Sequence, residues 1–96
     1  MKEREYLLSL YEIYNKLLTD KEKEYFENYY FEDLSLQEMA DNYEVSKSYV
    51  GKYLNGIEKK IYDYEESLNL FEKNNKIKEL ISNIDKDIKE KIEELL

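Results

Sequence analysis

From Leu36 to Leu54 the chain reads LQEMADNYEVSKSYVGKYL, a pattern that two short helices meeting at a tight corner satisfy and few other short folds do. Ser35 and Glu38 stand at capping-box spacing, the serine side chain able to take the N–H of the glutamate and the glutamate able to reach back. Leu36, Met39, Ala40 and Tyr43 then recur at helical spacing, with small Ala40 where two helix backbones must approach closely. Val45 is placed to plug the turn and Ser46 to cap a second helix, whose inward face starts with Val50 and Leu54. This order of small residue, plug, cap and apolar pair is the layout of a helix-turn-helix, and it presents its second helix outward.

The flanking segments are expected to be helical too. No proline occurs in the 96 residues, and Gly51 and Gly56 are the only glycines, so long loops and hairpins lack their usual punctuation. Residues 3–18 read as an amphipathic helix with Leu7, Leu10, Tyr11, Tyr14, Leu17 and Leu18 on one stripe. Thr19 and Glu22 form a second capping box, so the next helix starts near Asp20, carries Tyr25, Phe26, Tyr29 and Tyr30, and stops near Glu32-Asp33. Ile57 and Ile61 extend the inward row of the second helix of the motif beyond Leu54. The expected fold class is all-α, with a helix-turn-helix domain over 1–66 and a helical extension over 67–96.

In that extension Leu70, Ile77, Ile81, Ile84, Ile88 and Leu95 follow a three-four alternation, interrupted at Asn74 and Lys91. The stripe suits either packing on its own domain or pairing with a second copy, and its narrowness and length favour dimerisation. A break into two helices fits either Asn74-Asn75 or Asn83-Ile84-Asp85.

The charge is uneven. Overall the chain carries net −8, yet residues 47–60 hold Lys47, Lys52, Lys59 and Lys60 against Glu58 alone. The one basic window therefore coincides with the outward helix. Ordinary nucleic-acid binders are basic overall; acidic flanks here would weaken binding at physiological salt or require a second protomer. At about 100° per residue, with Val50 inward, Ser48, Lys52, Asn55 and Lys59 form the most exposed line. Ser48, Lys52 and Asn55 are then the candidates for base edges, and Lys47, Lys59 and Lys60 for phosphate. The alternative is a solvated stripe without a partner. Tyr49 and Tyr53, on one flank, suit either stacking on unpaired bases or a helix–helix seam. The two glycines cost about 1 kcal/mol each relative to alanine in a helix, which suggests close approach of a neighbouring backbone or phosphate, or else tolerated drift.

Other function classes lose ground. With neither histidine nor cysteine, the usual bases, nucleophiles and transition-metal ligands are missing, and no glycine-rich phosphate loop occurs. Carboxylate runs such as Glu22-Lys23-Glu24 and Glu65-Glu66 read as solvated helix faces. No catalytic residues, cofactor or metal site are expected. The N-terminus, MKEREYLLSLYEIY, is unlike a signal peptide, and no run approaches the roughly 20 apolar residues of a membrane span. A soluble, cytoplasmic protein without stable membrane insertion is expected.

The segment LLTDKEKEYFENYYFEDLSLQEMADNYEVS, Leu17 to Ser46, resembles the YlxM family of small bacterial proteins. The markers are LLT before the second helix, the YY pair followed by an acidic-Leu-Ser-Leu step, and the acidic-x-x-Val-Ser corner. The continuation IEKKIYDYEESLNLFEK is similar to that family's run after the recognition helix, so the likeness covers roughly residues 6–75. The same motif resembles, more broadly, region 4 of sigma factors. The resemblance implies a sigma-region-4-like fold, a homodimer, and a tie to the signal recognition particle through its GTPase, its RNA or both. A dimeric DNA-binding regulator is the alternative, and a protein-interaction module without nucleic-acid contact is a further one. The family's recognition helix typically reads S-R-Q-A-V-Y-D-N-I-K-R, where this chain has SKSYVGKYLNG from Ser46 to Gly56. Lys47 keeps a charge, but the arginines and their bidentate hydrogen bonds are gone. That departure counts against sequence-specific duplex reading and less against binding to RNA shape or to a protein.

Overall fold

A computed structural model of the protein describes residues 3–96, and among these every regular element is helical. Helix α1 (Glu3–Tyr14) runs into a 3-10 turn, Asn15–Leu17, and is followed by α2 (Asp20–Tyr30), α3 (Leu36–Tyr43), α4 (Lys47–Leu68), α5 (Leu70–Leu80) and α6 (Lys86–Glu94). The body measures 54 × 25 × 24 Å, elongated along the long axis. No helix among the described residues is long and apolar enough to cross a membrane.

The helix starts are where the caps put them. Thr19 Oγ1 accepts the Glu22 N–H at 3.1 Å while Glu22 Oε1 accepts the Thr19 N–H at 2.8 Å. Ser35 and Glu38 repeat the exchange at 3.0 and 2.9 Å, and Ser46 Oγ accepts the Tyr49 N–H at 3.0 Å. Lacking glycine at its corners, the chain turns on Asp33, Glu44 and Asn69, each with positive φ. Asp and Asn tolerate this region; glutamate does so at a cost of about 1–2 kcal/mol. At Glu44 (φ 56°) the helix-turn-helix corner is locked because the N–H groups of both Glu44 and Val45 donate to the Ala40 carbonyl.

Helix α4 is the axis of the molecule. Its buried row of Val50, Leu54, Ile57 and Ile61 meets Leu7, Leu10, Tyr11 and Tyr14 of α1, Tyr25 and Phe26 of α2, and Met39 and Ala40 of α3 in one core. Val45 packs half-buried against it. Eleven tyrosines fit this acidic chain because a ring can fill the core while its hydroxyl donates to a carboxylate. Tyr11 donates to Glu27 at 2.6 Å, Tyr14 to Glu65 at 2.5 Å, and Tyr30 to Glu58.

Three sequence expectations are corrected. Leu17 leaves the α1 stripe and is 51% exposed, because the 3-10 turn rotates it away; Leu18, in extended backbone, takes the buried place. Glu65 is not on a solvated face: it is 7% exposed and continues the buried row one turn beyond Ile61. Its carboxylate receives the Tyr14 hydroxyl and the N–H groups of Phe71 and Glu72, the latter two at 3.1 and 3.2 Å. The glycines do not admit a neighbouring helix of the chain at close range either. A methyl at Gly56 would meet nothing within 4 Å, and one at Gly51 only Leu36 Cδ1 at 4.0 Å. Gly56→Ala should therefore stabilise the fold by about 1 kcal/mol, read as a melting point roughly 4–8 °C higher by circular dichroism.

The extension divides at the second of the two expected breaks. Asn74 and Asn75 lie inside α5, whereas Asp85 Oδ1 caps α6 by accepting the Asp87 N–H at 2.9 Å. The six apolar residues therefore form no continuous seam. Helix α5 turns back at Asn69 onto α1, where Phe71 lies edge-on to Tyr6 with ring centroids 5.3 Å apart. Ile81 is buried, while Ile84, Ile88 and Leu95 are 40%, 53% and 87% exposed. The expected boundary at 66/67 falls in the last turn of α4, one residue beyond Glu65, which straps α5 to α1.

Candidate nucleic-acid interface

The outward face of α4 is built from its capped first turn. Ser46 fixes where the helix begins, Val50 and Leu54 fix its rotation, and Ser48, Lys52, Asn55 and Lys59 consequently stand exposed on the opposite side. Lys47, the first helical residue, is exposed as well. The first turns of α2, α3, α5 and α6 each carry a carboxylate, and that of α4 carries none. A lysine at the positive end of a helix is electrostatically unfavourable unless an anion joins it.

The four lysines of the basic window divide into two pairs. Among the described residues neither Lys47 nor Lys52 forms an ion pair. Lys59 Nζ lies 2.9 Å from Asp63 Oδ2, and Lys60 Nζ donates to both Glu22 oxygens at 3.1 Å. Each of these two ammonium groups is held above the usual lysine range, first of all by its hydrogen bond to the carboxylate. The sequence assigned Lys47, Lys59 and Lys60 to phosphate and Lys52 to base edges; the fold gives two of the three phosphate candidates, Lys59 and Lys60, carboxylate partners of their own. Glu58, the one acid in the window, accepts from Tyr30 and belongs to the core rim.

Glu22 is tuned by opposing influences. Burial raises its pKa, but the Thr19 N–H and the Lys60 ammonium outweigh that and leave it below the usual value of 4.5. A depressed carboxylate contributes stability above its unfolded pKa and loses it as pH falls through the folded one. Acid unfolding of the wild type followed by circular dichroism should therefore include a loss below pH about 4.5 that Glu22→Gln lacks.

A further cation joins the site from another element. Lys21, in the first turn of α2, donates from Nζ to the Tyr49 hydroxyl at 3.0 Å, and this bond is the main reason its ammonium is held above the usual range. Its position was available in the sequence only as an i, i+4 partner of Tyr25; nothing local brings it to α4.

An all-helical protein with a capped helix-turn-helix and an exposed polar face on its second helix belongs to the helix-turn-helix class. The chain is a member of the UPF0122 family, described as "Putative helix-turn-helix protein, YlxM / p13 like", whose family model matches residues 1–96. A UPF0122 protein of Ureaplasma urealyticum is 42% identical over 93 residues, covering 96% of this chain and 94% of the relative. One of Mycoplasma capricolum is 42% identical over 79 residues (82% and 70%), and one of Bacillus pumilus 44% identical over 72 residues (75% and 66%). No solved structure matches the chain.

Proposed function

We propose that this protein is an accessory of the signal recognition particle pathway that binds the particle's RNA through the outward face of α4 and acts as a homodimer. The observation that carries the nucleic-acid part is the open set Lys47, Ser48, Lys52 and Asn55, along the outward side of the first turns of a helix whose N-terminus has no carboxylate. Amide and ammonium groups suit phosphate, sugar and exposed base edges, whereas paired-duplex reading leans on the guanidinium forks absent here. The tie to the particle rests on the likeness to the YlxM family. A homodimer is supported by the apolar side chains that α5 and α6 leave exposed, Leu80, Ile88 and Leu95. The same exposed apolar side chains suit the particle's GTPase as a protein partner.

The test is ultraviolet crosslinking in cells followed by capture of the tagged full chain. Enrichment of the particle's RNA, with or without its GTPase, is the expected result; recovery of neither overturns the pathway assignment.

A dimeric DNA-binding regulator is the second reading, favoured by the rigid corner at Ala40, Val45 and Val50. Its signature is selection of a palindrome with half-sites about one duplex turn apart. The pairing of Lys59 and Lys60 within the chain favours instead a protein-interaction module, for which charge reversal of all four lysines would leave function intact.

A further inference from the structure

An aromatic row crosses the molecule from its core to the edge of the α4 face. Tyr43 stacks on Tyr25 (4.4 Å between centroids, 12° between planes), Tyr25 meets Tyr53 edge-on at 4.6 Å, and Tyr53 stacks on Tyr49 at 5.8 Å and 12°. Tyr25 is 2% exposed, Tyr53 is half-buried, and Tyr49, at the end of the row, is 39% exposed. Lys21 Nζ lies 4.9 Å from the Tyr53 centroid and 5.5 Å from that of Tyr49, in addition to its hydrogen bond with the Tyr49 hydroxyl. Each ring is thus braced by its neighbour or by the ammonium, and the last is the most exposed of the four, one helical turn from Lys52.

We infer that Tyr49, backed by Tyr53 and held by Lys21, is a stacking platform for an unpaired nucleobase of RNA, with the Lys21 ammonium placed for the adjoining phosphate. This rests on the RNA-binding reading above and deepens it.

The shape selects the ligand class. A cage for an alkylated ammonium needs aromatic walls at an angle around an empty centre. Here the accessible walls are two near-parallel rings, and a lysine of the same chain already sits against them. Near-parallel rings ending in one that is exposed suit a planar π-system instead, and a base in a loop or bulge is free to leave its neighbours for such a ring. The platform also lies on the flank of the helix whose outward line holds Ser48, Lys52 and Asn55, so a strand stacked at Tyr49 runs past unpaired cations. Pre-organisation matters because a ring already fixed in place loses little freedom when a base settles on it.

The test compares two RNAs of equal length: a hairpin carrying 2-aminopurine at an unpaired loop position, and a fully paired duplex. Wild type and Tyr49→Phe should quench the 2-aminopurine fluorescence on binding. Tyr49→Ala should abolish the quenching and weaken hairpin binding roughly 5- to 150-fold, with duplex affinity unchanged. Circular dichroism melts check that the variant is folded, which its surface position favours. Hairpin binding by wild type without quenching, or with Tyr49→Ala matching it, overturns the platform and leaves the RNA reading standing. Absence of binding to either RNA by the folded wild type overturns both.

Discussion

Replacing Glu65 by alanine should lower the melting temperature by roughly 10–30 °C and release α5 from the rest of the protein. Three donors converge on this one carboxylate: the Tyr14 hydroxyl at 2.5 Å and the N–H groups of Phe71 and Glu72. Tyr14 is itself 1% exposed, and its hydroxyl also accepts the Leu70 N–H at 3.1 Å. Removing the acceptor leaves a buried phenol and the first turn of α5 unsatisfied, a loss of about 2–4 kcal/mol. The Tyr14 hydroxyl is a dependable donor at neutral pH, since burial and then the bond to Glu65 push its pKa up to about 12. Glu65→Gln keeps the shape but sets its amide N–H₂ against one of the two backbone donors, so about half of the loss should remain. Tyr14→Phe combined with Glu65→Ala should cost much less than the two changes added, as residues in one network do. Hydrogen exchange gives the spatial readout: amides of Leu70–Leu80 lose protection before those of α4. A Glu65→Ala protein melting within a degree of wild type would show that α5 docks without the carboxylate.

Glu65 also marks where the sequence was legible and where it was not. Local chemistry was readable wherever partners stand close along the chain. Thr19 with Glu22, Ser35 with Glu38 and Ser46 with Tyr49 each lie within one helical turn, and every cap forms as spaced. The buried row Val50, Leu54, Ile57, Ile61 was readable from periodicity for the same reason. Glu65 sits on that row too, four residues past Ile61, but its charge suggested solvent. Its donors lie on α1 and α5, the former 51 residues away, where no spacing rule reaches. The Lys60–Glu22 pair, 38 residues apart, and the approach of Lys21 to Tyr49, 28 residues apart, were hidden in the same way. Leu17 failed for a different reason. Its stripe assumed 100° per residue, and the last turn of α1 tightens to 3-10 geometry. The candidate site was accordingly legible as a face but not as a charge distribution: rotation about α4 follows from periodicity, whereas the partner of each lysine depends on tertiary packing.

That difference separates the four lysines in an affinity experiment. Lys47→Glu with Lys52→Glu should weaken binding to structured RNA roughly 10- to 100-fold and reduce the slope of log affinity against log salt by about 2 for each protomer. Both residues are exposed and unpaired among the described residues, so reversing them removes available cations without breaking a contact of the fold. Lys59→Gln with Lys60→Gln should change the affinity by less than about threefold, because the neighbouring Asp63 and Glu22 carboxylates already offset the two charges that phosphate would meet. Its cost should appear in stability instead, since Glu22 loses the ammonium that helps hold it ionised. Wild-type binding should itself be steeply salt-dependent, with a slope of roughly −2 to −3 per protomer if Lys21, Lys47 and Lys52 all meet phosphate. Fluorescence anisotropy across a salt series measures each quantity. Equal losses for the two double variants would mean that the carboxylate pairs open freely on binding, and the interface would then run the full length from Lys47 to Lys60. A loss confined to Lys47 and Lys52 would restrict it to the first two turns of α4, beside the tyrosine platform. Because the flanks are acidic, an interface that small needs contributions beyond charge: stacking at Tyr49, the amide of Asn55, and a second protomer holding the same RNA.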